Sequence, residues 1–398
     1  MQNLPKLQIK NQQEFKLIEG HPWIYSNCIA NFAELKTLEK GSLVEVCLPK
    51  KPAFAIAYFN PNQLIAGRIL TYDASEIIDE KFFEKRILTA KILREKFFDK
   101  PFYRLIHSEA DGLAGLVIDR FDDILSCQIS TLGMEKLQDF LILALKKLFP
   151  NCKIIFKNDS ESRKFEGLEV EIKTIHGEIS GQKTIEENGV KFNINIESGQ
   201  KTGWYYDQRK NREFVGSISS GAEVLDAFCY QGSFGLNALK NGAKSVTFID
   251  SSQEAVDRAR SNVELNDLNI AKCEFVCEKA FVALEKMASA SKQFDIIVLD
   301  PPAFVKTKKD LHSGLKGYEK LVRLALPLLK TNGILFLASC SHNVSLDDLT
   351  DAANKATRKF FENKKTAKLV RTFGADIDHP LHPTLKESEY LKSIAFFI

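Results

Sequence analysis

The chain has 398 residues, with 44% hydrophobic and 27% charged residues and a net charge of +3. That is ordinary globular composition; it excludes wholesale disorder and, at about 150 residues per domain, has room for two or three domains. No apolar run approaches the about 18 residues of a spanning helix, which argues against a helical membrane protein.

In chain order, residues 1–72 carry short β-rich runs, SLVEVCLP, AFAIAYF and LIAGRIL, broken by Gly41, Pro49, Pro52, Pro61 and Gly67. Short strands with such punctuation predict a small β-barrel-like domain. The charge surplus lies in residues 1–70, with eight Lys or Arg against five Asp or Glu, as an RNA-binding module would have it. Residues 75–100 set apolar side chains at helical spacing among charges and predict an amphipathic helix. GLAGLVIDRF and ILSCQIS predict a hairpin turning at Phe121-Asp122-Asp123; residues 134–149 predict a helix and KIIFKND a strand. Together these make a central α+β domain over 73–185.

From Gly221 the rhythm changes. Strands EVLDAF, SVTFID, CEFVC, FDIIVLD and GILFLAS alternate with helical stretches such as SQEAVDRARSNVELND and YEKLVRLALPLL. Apolar strands alternating with amphipathic helices predict βαβ units and a parallel sheet. The class is α/β, with a doubly wound Rossmann-like domain over 186–398.

In such a sheet, ligands bind outside the carboxyl ends of the strands. Asp226 begins a strand-end loop that runs through Phe228, Cys229, Tyr230, Gly232, Phe234 and Gly235. Gly232 permits a tight turn, and the helix from Phe234 offers its N-terminus to a polar ligand. Asp250 ends the next strand, 24 residues further on, where a carboxylate can accept both hydroxyls of a ribose. These features suit a ribose with a cationic or zwitterionic tail better than a pyrophosphate, and S-adenosyl-L-methionine fits. A third strand ends at Asp300-Pro301-Pro302-Ala303-Phe304, where two prolines stiffen the loop and Phe304 is available to stack on a planar base. Cys340, in Ser339-Cys340-Ser341-His342, follows the next strand and belongs to the same rim.

Carbon 5 of cytosine is a poor nucleophile toward a methyl sulfonium. A thiolate that adds to carbon 6 corrects this, given a group at the N3/N4 edge and a methyl donor. Cys340 and Asp300 supply the catalytic parts, and the Asp226/Asp250 pocket supplies the donor. Cys229, in the cofactor loop, is the rival thiol and is expected to pack against the methionine portion. The eight cysteines (Cys28, Cys47, Cys127, Cys152, Cys229, Cys273, Cys277, Cys340) show no paired spacing, and residues 1–10 carry no signal-peptide pattern. Free thiols in a reducing cytoplasm are therefore expected, with no metal site.

At this point the sequence resembles a known family, the bacterial S-adenosylmethionine-dependent 5-methylcytosine methyltransferases of 23S ribosomal RNA with an N-terminal PUA domain. The resemblance runs from Gly20-His21-Pro22-Trp23-Ile24-Tyr25-Ser26 through Glu109 to Phe121 and Gly199 to Arg209. It continues in Asp300-Pro301-Pro302-Ala303-Phe304, Ser339-Cys340-Ser341, Asp378-His379-Pro380 and Glu389-Tyr390-Leu391-Lys392. It implies an RNA-binding PUA domain over 1–72, the Cys340 thiol as nucleophile, and the Lys201–Arg209 segment at the cofactor's edge. There Arg209 would hold the methionine carboxylate and Gln208 would hydrogen-bond the tail, unless Arg209 pairs with an Asp of the protein. One departure stands out: Lys279 occupies the place where the family has an acidic residue for the adenine amino group. Adenine recognition then rests on backbone groups or on Glu278.

The expected partner is 23S ribosomal RNA, with no membrane partner and a homodimer among the assemblies left open. Pro301, Pro302, Phe304 and Lys306 are expected on the substrate side, Lys306 with Lys308 and Lys309 near flanking phosphates. Two other readings remain: a related enzyme acting on another base or ring nitrogen, and a non-catalytic RNA-binding assembly factor.

Overall fold

A computed structural model describes residues 4–49, 51–199, 201–364 and 367–398. Gln200, within the family-like segment, lies outside the described residues. The chain separates into two compact units. The first gathers Met1–Lys183, Ile194–Trp204 and Ile377–Ser388; the second gathers Thr184–Asn193, Tyr205–Asp376 and Glu389–Ile398.

The first unit holds two five-stranded sheets. One orders its strands Lys6–Gln8, Ser42–Leu48, Lys51–Phe59, Ile65–Thr71 and Trp23–Tyr25. Leu7, Ile24, Val44, Val46, Ala55, Ala57 and Phe59 form its core. The three long strands lie where the sequence predicts them. The two three-residue strands were not anticipated, being too short to show alternation. The other sheet orders Glu171–His176, Lys153–Asn158, Ile124–Ile129, Leu116–Phe121 and Phe102–His107. Its hairpin turns at the predicted place, with Asp122 in the left-handed region at φ 62°. Helix Glu80–Glu95 is capped by the Asp79 carboxylate, which accepts from the Phe82 N–H, and it buries Phe82, Phe83, Ile87 and Ala90. The single helix expected over 134–149 is instead two, Leu132–Lys136 and Gln138–Leu148. Leu137, at φ −96° and ψ 3°, leaves the helical conformation between them.

The second unit is built on seven strands: β1 (Glu223–Ala227), β2 (Ser245–Asp250), β3 (Cys273–Cys277), β4 (Phe294–Leu299), β5 (Leu329–Ser339), β6 (Lys368–Phe373) and β7 (Lys392–Phe397). Their spatial order is β3-β2-β1-β4-β5-β7-β6. β1 to β5 run parallel, whereas β7 pairs antiparallel with β5 and β6 antiparallel with β7. The central strands read as continuous apolar runs because both faces are covered: Val224, Leu225 and Ala227 in β1 and Ile296 to Leu299 in β4 are all buried. No described helix is long and apolar enough to cross a membrane.

Candidate active site

Strand order reverses between β1 and β4, which opens a crevice at the carboxyl ends of the strands. Asp226 lies near the end of β1, Asp250 ends β2, and Asp300 follows β4 directly. Cys340 follows β5. Leu299 pairs with Leu337, so Asp300 and Cys340 leave the sheet along one rim.

The loop after β1 has an unusual backbone. Phe228 (φ 64°), Tyr230 (φ 49°) and Gly232 (φ 79°) all take left-handed conformations. For the two non-glycine residues this costs about 1–3 kcal/mol each and persists only where the surroundings enforce it. Those surroundings are visible. The Cys229 N–H donates to the Ile249 carbonyl at 2.9 Å and the Gly232 N–H to the Cys229 carbonyl at 2.7 Å. The Tyr230 N–H donates to Asp250 Oδ2 at 3.0 Å, and Asp250 Oδ1 accepts from the Ser252 N–H at 2.9 Å. Asp250 therefore anchors the loop, and each of its oxygens keeps lone-pair capacity for a further donor.

Asp226 is buried. Its Oδ2 accepts from the Gly235 N–H at 2.8 Å, while Oδ1 has no hydrogen-bond partner among the described residues. Burial pushes its carboxyl up to about 7, with Asp300 and Asp250 adding repulsion. A buried carboxylate oxygen without a partner can accept a hydrogen bond from a cationic group.

Gln208 precedes the helix Arg209–Ser217, which Arg209 begins. Gln208 Nε2 donates to Asp300 Oδ1 at 2.9 Å, and its Oε1 accepts from Asn211 Nδ2. Gln208 is thus an orienting partner of Asp300. The buried Arg209 guanidinium lies 3.2 Å from Asp376 and 3.5 Å from Glu187, so it is engaged by two of the protein's own carboxylates. Phe234 is buried with its ring 5.5 Å from that of Phe336 and belongs to the core. Glu278 takes Lys286 at 2.7 Å and the Lys279 N–H at 3.0 Å; the Lys286 hydrogen bond leads in holding its carboxyl below the usual range. Its own N–H donates to the Asp250 carbonyl, which ties β3's end to β2's.

On the substrate side, Pro301 is buried and Pro302 exposed. The half-buried ring of Phe304 lies 4.7 Å from Tyr318 and 6.2 Å from Phe281, in an aromatic cluster that takes part of its stacking surface. Lys306 is exposed, and its carbonyl accepts from Asn343.

Cys340 is half-buried and sits in a hydroxyl-rich frame. Tyr318 and Ser339 share a hydrogen bond at 2.8 Å, the Ser341 N–H donates to Ser339 Oγ at 3.3 Å, and the Val305 N–H donates to Ser341 Oγ at 3.4 Å. The Tyr205 phenol is pushed up first by burial and then by Tyr230, Asp207, Asp300 and Cys340, which puts Asp300 and Cys340 in one electrostatic neighbourhood. Cys229 differs: it is 3% exposed, and burial holds its thiol well above the ordinary value. His342 is exposed, its ring 5.5 Å from Tyr390. Asn211 and Lys392 belong to this neighbourhood without having been singled out by sequence, as does Tyr205, placed there only as part of the Lys201–Arg209 segment. Tyr205 and Lys392 stood in family-like segments, which was the available signal.

Two family descriptions match the chain: a PUA-like domain over residues 7–72 and an S-adenosylmethionine-dependent methyltransferase over residues 169–367. Ribosomal RNA large subunit methyltransferase I of Photobacterium profundum is 37% identical over 398 residues, covering 97% of each chain. Its namesake from Klebsiella pneumoniae is 36% identical, covering 98% of each. Among solved structures, one described as a sam-dependent methyltransferase from Streptococcus mutans shares the fold with a TM-score of 0.83 at 22% identity, covering 99% of this chain and 100% of that one. A similar structure, complexed with SAH, gives 0.84 at 22% identity with the same coverage. The α/β class, the PUA-like start and the Rossmann-like sheet thus agree with these likenesses, and the chain belongs to the family of ribosomal RNA large subunit methyltransferase I, as an S-adenosylmethionine-dependent methyltransferase.

Proposed function

We propose that this enzyme methylates carbon 5 of a cytosine in large-subunit (23S) ribosomal RNA, using Cys340 as a covalent nucleophile. The supporting observation is that Cys340 and Asp300 leave adjacent parallel strands on the rim that also holds Asp226 and Asp250. The full-length relatives carry ribosomal RNA large subunit methyltransferase names, which supports the substrate class.

The residues fit the cofactor. The Asp226 Oδ1, without a hydrogen-bond partner among the described residues, would hold the methionine ammonium, and Asp250 would take the ribose hydroxyls beside Phe228, Tyr230 and the Gly232 turn. Glu278 and its neighbouring backbone would face the adenine. The bound cofactor supplies an electrophilic methyl group on a sulfonium. The rest falls to the chain's own side chains. The Cys340 thiolate bonds to carbon 6, which makes carbon 5 nucleophilic; after methylation, loss of the carbon-5 proton expels the thiolate. Asp300, oriented by Gln208, hydrogen-bonds the N3/N4 edge of the base. Pro301 and Pro302 stiffen its loop, Phe304 presents its remaining edge to the base, and Lys306 meets a flanking phosphate. A target base reaches such a rim from a single-stranded or opened region.

Mapping of the methylated nucleotide tests this reading. Ribosomal RNA from cells lacking the protein, incubated with enzyme and labelled cofactor, gains a methyl group on carbon 5 of cytosine. A label on another base or on a ring nitrogen contradicts it.

A further inference from the structure

We propose that Lys392 is a positioning residue for the nucleophile, its buried ammonium set against the main chain around Cys340 so that the sulfur is held as a thiolate. The inference rests on Cys340 being the nucleophile.

Lys392 begins β7, directly opposite Ser339 on β5, one residue before Cys340. It is only 6% exposed. Its Nζ donates to the Ser341 carbonyl and to the Tyr390 carbonyl, each at 3.4 Å. The first carbonyl belongs to the residue that follows Cys340. Among the described residues no carboxylate lies within ion-pair distance of this ammonium. Lysines are almost never buried without such a partner, because desolvation then goes uncompensated. Burial does push the Lys392 ammonium below its usual value, while Glu389 and Cys340 pull it back. The phenols of Tyr205 and Tyr318 also feel Cys340, and Tyr205 feels Asp300 as well. None of these can stabilise a negative sulfur by charge. Two groups that favour each other's charged form do so reciprocally, so whatever the thiolate contributes to the ammonium, the ammonium returns. The thiol proton passes to solvent.

The test follows the rate of Cys340 alkylation by iodoacetamide against pH. It uses the full-length protein without RNA and quantifies the Cys340 peptide by mass. In Lys392→Met the midpoint is expected to rise by at least about one pH unit, which at neutral pH is about a tenfold slower reaction. Lys392→Arg, which keeps the charge, is expected to restore most of the rate. Unchanged cofactor affinity, measured by calorimetry, shows that the variant is folded; Lys392→Gln replaces Met if it is not. An unchanged midpoint in a variant that binds cofactor overturns the proposal. Because alkylation needs no RNA, that failure leaves the cytosine reading intact. Undiminished turnover by Cys340→Ala would instead remove the cytosine reading and leave the midpoint measurable.

Discussion

Asp226 carries two demands on one carboxylate: it closes the β1 loop through Gly235 and leaves its second oxygen for a ligand. Its pKa in the fold, about 7, lies above the ordinary 3.8. The protonated form is therefore favoured in the folded state, so this contribution to stability is full below about pH 4 and is lost as pH rises toward 7. Without cofactor, thermal melting should fall between about pH 4 and 7 in the wild type, and Asp226→Asn should flatten that fall. Cofactor affinity should move the other way, tightening as the carboxylate ionises, and Asp226→Asn should weaken it at least about tenfold at pH 8 by loss of a charge-assisted hydrogen bond. Calorimetry at three pH values checks both signs. Gln208 acts on the other side of the crevice. Gln208→Ala frees Asp300 from its orienting donor and should lower kcat about tenfold or more in a single-turnover assay, with cofactor affinity nearly kept.

At the scale of elements, the turn from β1 into helix Ser233–Lys240 depends on missing side chains. A Cβ on Gly235 would lie 2.2 Å from the Phe248 ring, and one on Gly232 would lie 2.7 Å from Leu236. Gly235→Ala should cost about 1–3 kcal/mol in urea unfolding, since a packed ring must shift. The parallel core of this sheet was legible because strands covered on both faces are written as apolar runs, as in FDIIVL. The antiparallel pair β6 and β7 was not read. β6, KLVRTF, is exposed along most of its length, and β7, KSIAFF, follows it without an intervening α-helix, outside the strand–helix alternation. The same limit applies to side chains. Asp226, Asp250, Asp300 and Cys340 fall at strand ends that periodicity locates. The engagement of Arg209 with Asp376 and Glu187, of Gln208 with Asp300, and of Phe234 with Phe336 depends on partners distant in sequence. Residue type suggests ligand contacts for all three; the protein groups they also touch depend on long-range packing.

At the scale of the whole molecule, neither unit is a continuous stretch of chain. The first unit recovers residues 377–388 through buried charge: Arg94, 1% exposed, binds Asp111 bidentately at 2.6 and 2.7 Å and donates to the Asp378 carbonyl at 3.0 Å. The Asp378 carboxylate accepts from the Arg104 N–H at 2.9 Å. Arg94→Met would leave Asp111 buried without its cation and should cost about 3–5 kcal/mol in denaturant unfolding. Substrate affinity should fall steeply with salt, as it does wherever lysines and arginines displace counterions from phosphate. The central claim is tested most directly by trapping. Ribosomal RNA carrying 5-fluorocytosine, which cannot lose its carbon-5 substituent as a proton, is incubated with enzyme and S-adenosylmethionine, and the protein is digested and read by mass. The account predicts a nucleotide joined to the Cys340 peptide and to no other cysteine. A methylated product with no adduct, or an adduct that survives in Cys340→Ala, would contradict it.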